Sequence, residues 1–189
     1  VEVLLRGGVY ALPRTFVLSQ EDGGTATAPI VYRAHPGEAV VIRGGRDVVD
    51  FTPHEGSILE ADLKAQGFAD LAFRELFLDG VRLPLARYPN AVADNPYGGG
   101  WAFADGDRVP MYQDVPGEPR NALHYKAKDA RAWAKPGEVE VFVFPRFNWW
   151  NNILPIAAVD RDKRLVTTTA DASYPIRPGD RYYFRGGRE

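Results

Sequence analysis

The chain has 189 residues, and its 23 Lys and Arg against 25 Asp and Glu leave a net charge of −2. No basic excess exists to track a phosphate backbone, which argues against a nucleic-acid partner, and no apolar run reaches the roughly 18 residues that span a membrane. Cysteine is absent, which removes thiol catalysis, disulfides and thiolate–zinc sites, while 45% apolar residues are enough for a buried core.

The 19 glycines and 15 prolines imply many chain reversals and favour short strands over long helices. Within the first 45 residues four β-branched or aromatic runs are each stopped by Gly or Pro. Val1 to Leu5 ends at Gly7-Gly8, and Thr15 to Leu18 precedes Glu21-Asp22-Gly23-Gly24. Ile30 to Tyr32 stops at His35-Pro36-Gly37, and Val40 to Ile42 runs into Gly44-Gly45. The spacings leave no room for helical crossovers between strands. Leu5-Arg6-Gly7-Gly8 recurs as Ile42-Arg43-Gly44-Gly45 and Phe184-Arg185-Gly186-Gly187, either a structural repeat or a common strand–turn pattern.

Residues 46–75 fit two patterns. Ser57 and Glu60 have the spacing of a helix capping box, yet Ile58, Leu59, Ala61 and Leu63 also suit a strand. Phe73, Leu76, Phe77 and Leu78 lead into Asp79-Gly80, a strong hairpin signal, with Val81, Leu83 and Leu85 as the returning strand. Residues 94–121 read as a long loop around Gly98-Gly99-Gly100 and Pro116-Gly117, and such loops are usually functional or mobile. Beyond them Val139, Val141 and Val143 alternate with Glu140, Phe142 and Phe144. Ile153 to Val159 and Leu165 to Thr169 flank the turn Asp160 to Lys163, and Pro178-Gly179-Asp180 turns into Arg181-Tyr182-Tyr183-Phe184.

The opening segments Val3 to Tyr10, Glu21 to Thr25, Pro29 to Glu38 and Val41 to Gly45 resemble the start of right-handed parallel β-helix proteins of the pectate-lyase-like superfamily. The branch they resemble is the bacterial carbohydrate-active group containing β-xylosidase-type glycoside hydrolases. In that group a β-sandwich-like domain interrupts the first helix turns. Phe73 to Gly80, Ala86 to Asn90, Trp150 to Val159 and Arg181 to Phe184 look like that insert. The resemblance implies a mostly β fold, with residues 1–45 as first β-helix turns, 46–180 as the inserted domain and 181–189 as the return to the helix. It implies an N-terminal fragment of an extracellular or periplasmic polysaccharide-degrading protein, more a hydrolase than a lyase, inactive alone because the family's catalytic carboxylates lie on later rungs. A non-catalytic carbohydrate-binding module and a structural β-helix cap that self-associates through open β edges are the alternatives.

The residues themselves offer little catalysis. A glycosidase needs two carboxyl groups roughly 5–9.5 Å apart. Asp105/Asp107 and Asp160/Asp162 lie in turn sequence, where Asp supports turn geometry, and Glu138/Glu140 would share the wet face of a strand. His35, His54 and His124 have no ligand spacing, and Asp105-Gly106-Asp107 lacks the six to eight oxygens that Ca²⁺ takes, so no metal or cofactor is expected. Ser19, Ser57 and Ser173 lie in no nucleophile elbow. The aromatic stretch Phe147-Asn148-Trp149-Trp150-Asn151-Asn152 is richer. An extended segment would send Trp149 and Trp150 to opposite faces; either both serve the core or an interface, or one joins the core and the other stacks on a sugar ring while Asn148 and Asn151 reach its hydroxyls. Trp101 could add a second platform. Arg87, beside Tyr88, could grip a carboxylate or hydroxyl, or tie two loops together. Trp133 reads as core. The resemblance makes a polysaccharide or oligosaccharide the expected ligand.

Overall fold

In the computed structural model, which describes residues 1–68, 73 and 75–187, the chain is mostly β with short 3₁₀ turns and no α-helix among the described residues. Arg74 and the last two residues of the segment 181–189 lie outside that set. The chain divides into two compact units, Val1–Ala72 and Phe73–Glu189.

The first unit opens with β1 (Glu2–Leu5), β2 (Gly8–Ala11), β3 (Val31–Ala34) and β4 (Val40–Arg43). β1 pairs in parallel with β3, and β2 in parallel with β4. Gly7-Gly8, read from sequence as a stop, is a corner. Gly8 has φ 146°, open to glycine and strained for other residues, so the chain turns and starts a new strand at once. Glu38 fastens that corner by accepting from the Arg6 Nε–H at 2.8 Å and from the Gly7 backbone N–H. Leu5 faces Ala34 and Tyr10 faces Ile42, so the Leu5/Ile42 sequence repeat is not the pairing register. The repeated runs each close a strand instead.

Thr15 to Leu18 is not a strand. No ladder partner runs beside it, and β-propensity without pairing does not hold a strand. It leads into a 3₁₀ turn at Gln20–Asp22, capped by Ser19, whose hydroxyl accepts the Glu21 N–H while its own N–H donates to Asp22. β5 (Thr52–Glu55) and β6 (Ile58–Glu60) form an antiparallel hairpin. Of the two readings of that segment, the strand is the one observed, because Gly56 with φ 58° supplies the reversal.

The second unit begins with the hairpin β7 (Phe77–Leu78) and β8 (Val81–Arg82), reversed by Asp79 and Gly80 with φ 50° and 78°, as a two-residue primed turn requires. Its sheet has seven strands. They are β9 (Arg87–Tyr88), β10 (Ala102–Phe103), β11 (Ala122–His124), β12 (Glu140–Val143), β13 (Asn152–Asp160), β14 (Leu165–Thr168) and β15 (Arg181–Arg185). The order is β10-β15-β12-β13-β14-β11, with β9 also on β15, and every pairing is antiparallel. The strands β9, β10 and β11 are too short to leave a period in the sequence.

Among the described residues the buried hydrophobic core lies in this unit. Val141, Val143, Leu154, Ile156, Val166, Tyr182 and Phe184 form one face of the sheet, and Val139, just before β12, belongs to the same buried cluster. Trp133 packs edge-on against Phe184 with ring centroids 4.6 Å apart, as its core reading expected. Glu138 lies in a 3₁₀ turn rather than beside Glu140 on a strand, so the two do not share a strand face. Glu140 is half-buried against Arg185. The Tyr182 hydroxyl is buried without a hydrogen-bond partner among the described residues, and burial pushes its pKa up. An unmade buried hydrogen bond costs about 1–3 kcal/mol. Tyr182→Phe is therefore expected to stabilise the protein by about 1 kcal/mol in urea titration, and a loss of stability would show that the hydroxyl is satisfied.

Candidate functional site

The site is built from the turn that joins β12 to β13. After Val143 the chain passes through buried Pro145 and reverses, with Arg146 at φ 43° and Asn148 at φ 58°. Both lie in the left-handed region, which Asn tolerates and Arg enters at a cost. The segment is thus a tight turn and not extended. Trp149 and Trp150 do not split between core and solvent; both project outward, 72% and 62% exposed. Asn151 is exposed as well.

The turn also presents Phe147, which gathers the other rings. Its centroid lies 5.4 Å from Trp149, 5.0 Å from Tyr174 and 6.0 Å from Tyr112, which is 84% exposed. The Arg146 guanidinium lies 4.6 Å above the Phe147 ring. These four rings make an aromatic platform on the surface of the second unit.

Two arginines fasten the loop that brings Tyr112 to it. Arg177 is buried, with a side chain 3% exposed, and grips both Glu118 oxygens at 2.7 Å. It also donates to the carbonyls of Pro110 at 2.8 Å and Gln113 at 2.6 Å. Glu118 holds the Arg177 pKa above its ordinary value. Arg146 donates to the Met111 carbonyl and to Asp114, at 2.8 Å and 2.7 Å. Asp180 joins the two arginine segments. Its Oδ2 accepts the backbone N–H of Arg146 at 2.7 Å and of Arg177 at 2.8 Å. Burial outweighs those bonds and pushes the Asp180 carboxyl up to about 6.

Beside the platform a cavity of about 420 Å³ is lined by Asp114, Glu118, Arg120, Phe147 and Tyr174 among others. A second, of about 480 Å³, includes Asp105, Arg108, Lys126, Asn148 and Asp180. Arg146 lines both.

The residues singled out in the sequence fall into two groups. Asn148, Trp149, Trp150 and Asn151 belong to the turn just described. Tyr88 packs against the core, in register with Phe184, whereas Arg87 and Trp101 lie on the other face of the sheet. There Phe142 and Tyr183 stack 4.6 Å apart, Trp101 sits 5.3 Å from Tyr183, and the Arg87 guanidinium lies 3.6 Å over the Tyr183 ring. Arg87 donates to the carbonyls of Pro89 and Gly100. Gly100 is required where it stands, because a Cβ there would meet the Asn90 carbonyl oxygen at 2.4 Å. Tyr88 donates to Asp129 at 3.0 Å, and the Trp101 indole N–H to the Tyr97 carbonyl at 3.2 Å. All three are thus occupied in joining loops to the sheet. Sequence reasoning missed Tyr112, Tyr174, Arg146, Arg177, Glu118 and Asp180. Only Asp180 carried a signal, as the residue after a Pro-Gly turn.

Among the described residues no group of three or more His, Cys, Asp or Glu could hold a metal ion, and no helix is long and apolar enough to cross a membrane. No protein-family model matches the chain, and no curated protein matches its sequence. A solved structure titled glycoside hydrolase is similar in fold, with a TM-score of 0.60 and 19% identity over 99% of this chain. The chain spans about a third of that protein, 32% of its length. At that identity the likeness is one of fold.

Proposed function

We propose that this chain is a carbohydrate-contacting part of an extracellular or periplasmic glycoside hydrolase-like protein, and that it binds a polysaccharide or oligosaccharide rather than cleaving it. In this proposal residues 1–45 are the first turns of a right-handed parallel β-helix and an inserted β-sandwich-like domain follows from residue 46; because β15 (Arg181–Arg185) pairs with β10, β12 and β9, that domain runs through Arg185 rather than ending at 180. The parallel pairing of β1 with β3 and β2 with β4 supports the helical part, and the fold likeness to a protein titled glycoside hydrolase supports the class.

The observation that carries the functional part is the exposed aromatic platform. Tyr112 and Trp149 flank Phe147, at 84% and 72% exposure, while core rings of the same unit are buried. A contiguous exposed patch of rings, unlike a lone exposed one, marks an interaction surface. Sugar rings stack their C–H faces on such surfaces, and Asn148, Asn151 and Trp150 border it for the hydroxyls. Asp114 and Glu118 beside it are each held by an arginine, which suits a binding surface better than an acid–base pair.

Intrinsic Trp fluorescence titrated with xylan, pectin, fucosylated and mannan oligosaccharides tests this. One class should give a saturable change, weakened about tenfold or more by Trp149→Ala or Trp150→Ala. Both side chains are exposed, so folding stability should move by less than about 0.5 kcal/mol. No response to any class at millimolar concentration would sink the proposal.

A second reading has its own observation. Leu4, Val9, Tyr10, Val41 and Ile42 on the parallel strands are exposed, which favours a structural cap that associates through open strand edges. Sedimentation at rising concentration distinguishes it.

A further inference from the structure

The charges around the platform narrow the ligand class, an inference that rests on the proposal above. In the 480 Å³ cavity the cationic side chains are Arg108, Lys126, Arg146 and Arg177, and the acidic ones Asp105 and Asp180. Arg177 and Arg146 are already committed to Glu118 and Asp114 and to loop carbonyls. Asp180 is spent on two backbone N–H groups, and Asp105 faces Arg164 at 3.8 Å. Arg108 and Lys126 remain. Neither side chain makes a hydrogen bond, ion pair or ring contact with the described residues. The same holds for Arg120 in the neighbouring cavity beside Phe147 and Tyr174. The charge left over in both cavities is therefore positive, in a chain whose net charge is −2.

We propose that the site takes an acidic saccharide, with a sugar ring on the Phe147–Trp149 platform and its anionic substituent received by Arg108 and Lys126 on one side or Arg120 on the other. Guanidinium groups pair bidentately with carboxylate and with other oxyanions, whereas neutral hydroxyls gain little from them. The anion could be a uronate carboxylate or a sulfate ester, and both present the same charge to these cations.

The test is calorimetric titration of the full 189-residue chain with a glucuronic-acid-bearing xylo-oligosaccharide, the same oligosaccharide after carboxyl reduction, and a sulfated counterpart. The acidic forms should bind about tenfold or more tightly than the reduced one, with a gap that narrows as salt rises from ~0.05 to ~0.5 M. The carboxylated and sulfated arms tell which anion is preferred. Arg108→Gln with Lys126→Gln, and separately Arg120→Gln, should remove part or all of the gap while leaving the reduced oligosaccharide bound as before. Equal binding of acidic and reduced forms, or a gap untouched by every variant, would overturn the acidic-saccharide proposal alone. Failure of all three to bind would overturn the sugar-contact proposal itself.

Discussion

Glu118→Ala is expected to lower the melting temperature by on the order of 10 °C. Among the described residues Glu118 is the one carboxylate that forms an ion pair with the Arg177 side chain, and that side chain is 3% exposed. Removing one partner of a buried pair strands the other charge in a poorly solvated place, which costs about 3–5 kcal/mol. The damage should not stay local. The bonds from Arg177 to Pro110 and Gln113 order the loop that carries Tyr112, and without Glu118 the guanidinium can leave those carbonyls to reach water. Glu118→Gln keeps an acceptor but not the charge, and should fall between the variant and the wild type. Thermal and urea denaturation of the three proteins measure this. A Glu118→Ala cost below about 1 kcal/mol would show that the arginine is hydrated rather than buried. A large cost with no faster proteolytic cleavage within residues 110–118 would show that the pair does not order the loop.

How far the sequence carried the fold depends on length and period. β12, β13, β14 and β15 were legible because each alternates or runs apolar over four or more residues, and Val139, Val141 and Val143 are buried as that alternation requires. The hairpin at Asp79-Gly80 was legible because its turn needs two positive φ values, which few residue pairs supply. Thr15 to Leu18 misled because β-branching describes a preference, while a strand needs a partner. β2 was hidden behind a glycine that works as a corner and not as a stop. The candidate site was half legible. The composition of Phe147 to Asn152 drew notice, yet the two positive φ values at Arg146 and Asn148 undo the period-two geometry on which one buried and one exposed Trp depended. Arg87 and Trp101 drew notice for the same composition, and their contacts turned out to be internal. Tyr112 with Glu118, Phe147, and Tyr174 with Arg177 come together from three distant stretches. No local pattern encodes such a meeting, which exists only once Asp180 and the two arginines have folded the loops onto one another.

Asp180 gives that assembly a pH dependence that runs against the usual one. The carboxyl is buried, 4% exposed, and titrates at about 6. An unfolded aspartate ionises near 3.9. Between about 4 and about 6 the native protein therefore holds a proton that the unfolded chain has released, so this group's contribution to stability falls as pH rises through that window and is flat above it. Across the whole window the change is about 3 kcal/mol, the reverse of an ion-paired aspartate, whose contribution is lost as pH falls. Asp180→Asn cannot titrate, and its amide oxygen can still accept the N–H groups of Arg146 and Arg177. Urea denaturation of both proteins at pH 4, 5, 6 and 7 isolates the effect, because every other titrating group is shared. The wild type should gain on the variant as pH falls from 6 to 4. A difference that stays constant over that range would mean that the two backbone N–H bonds hold Asp180 ionised, and that they, not burial, set the charge at the joint between the two arginine segments.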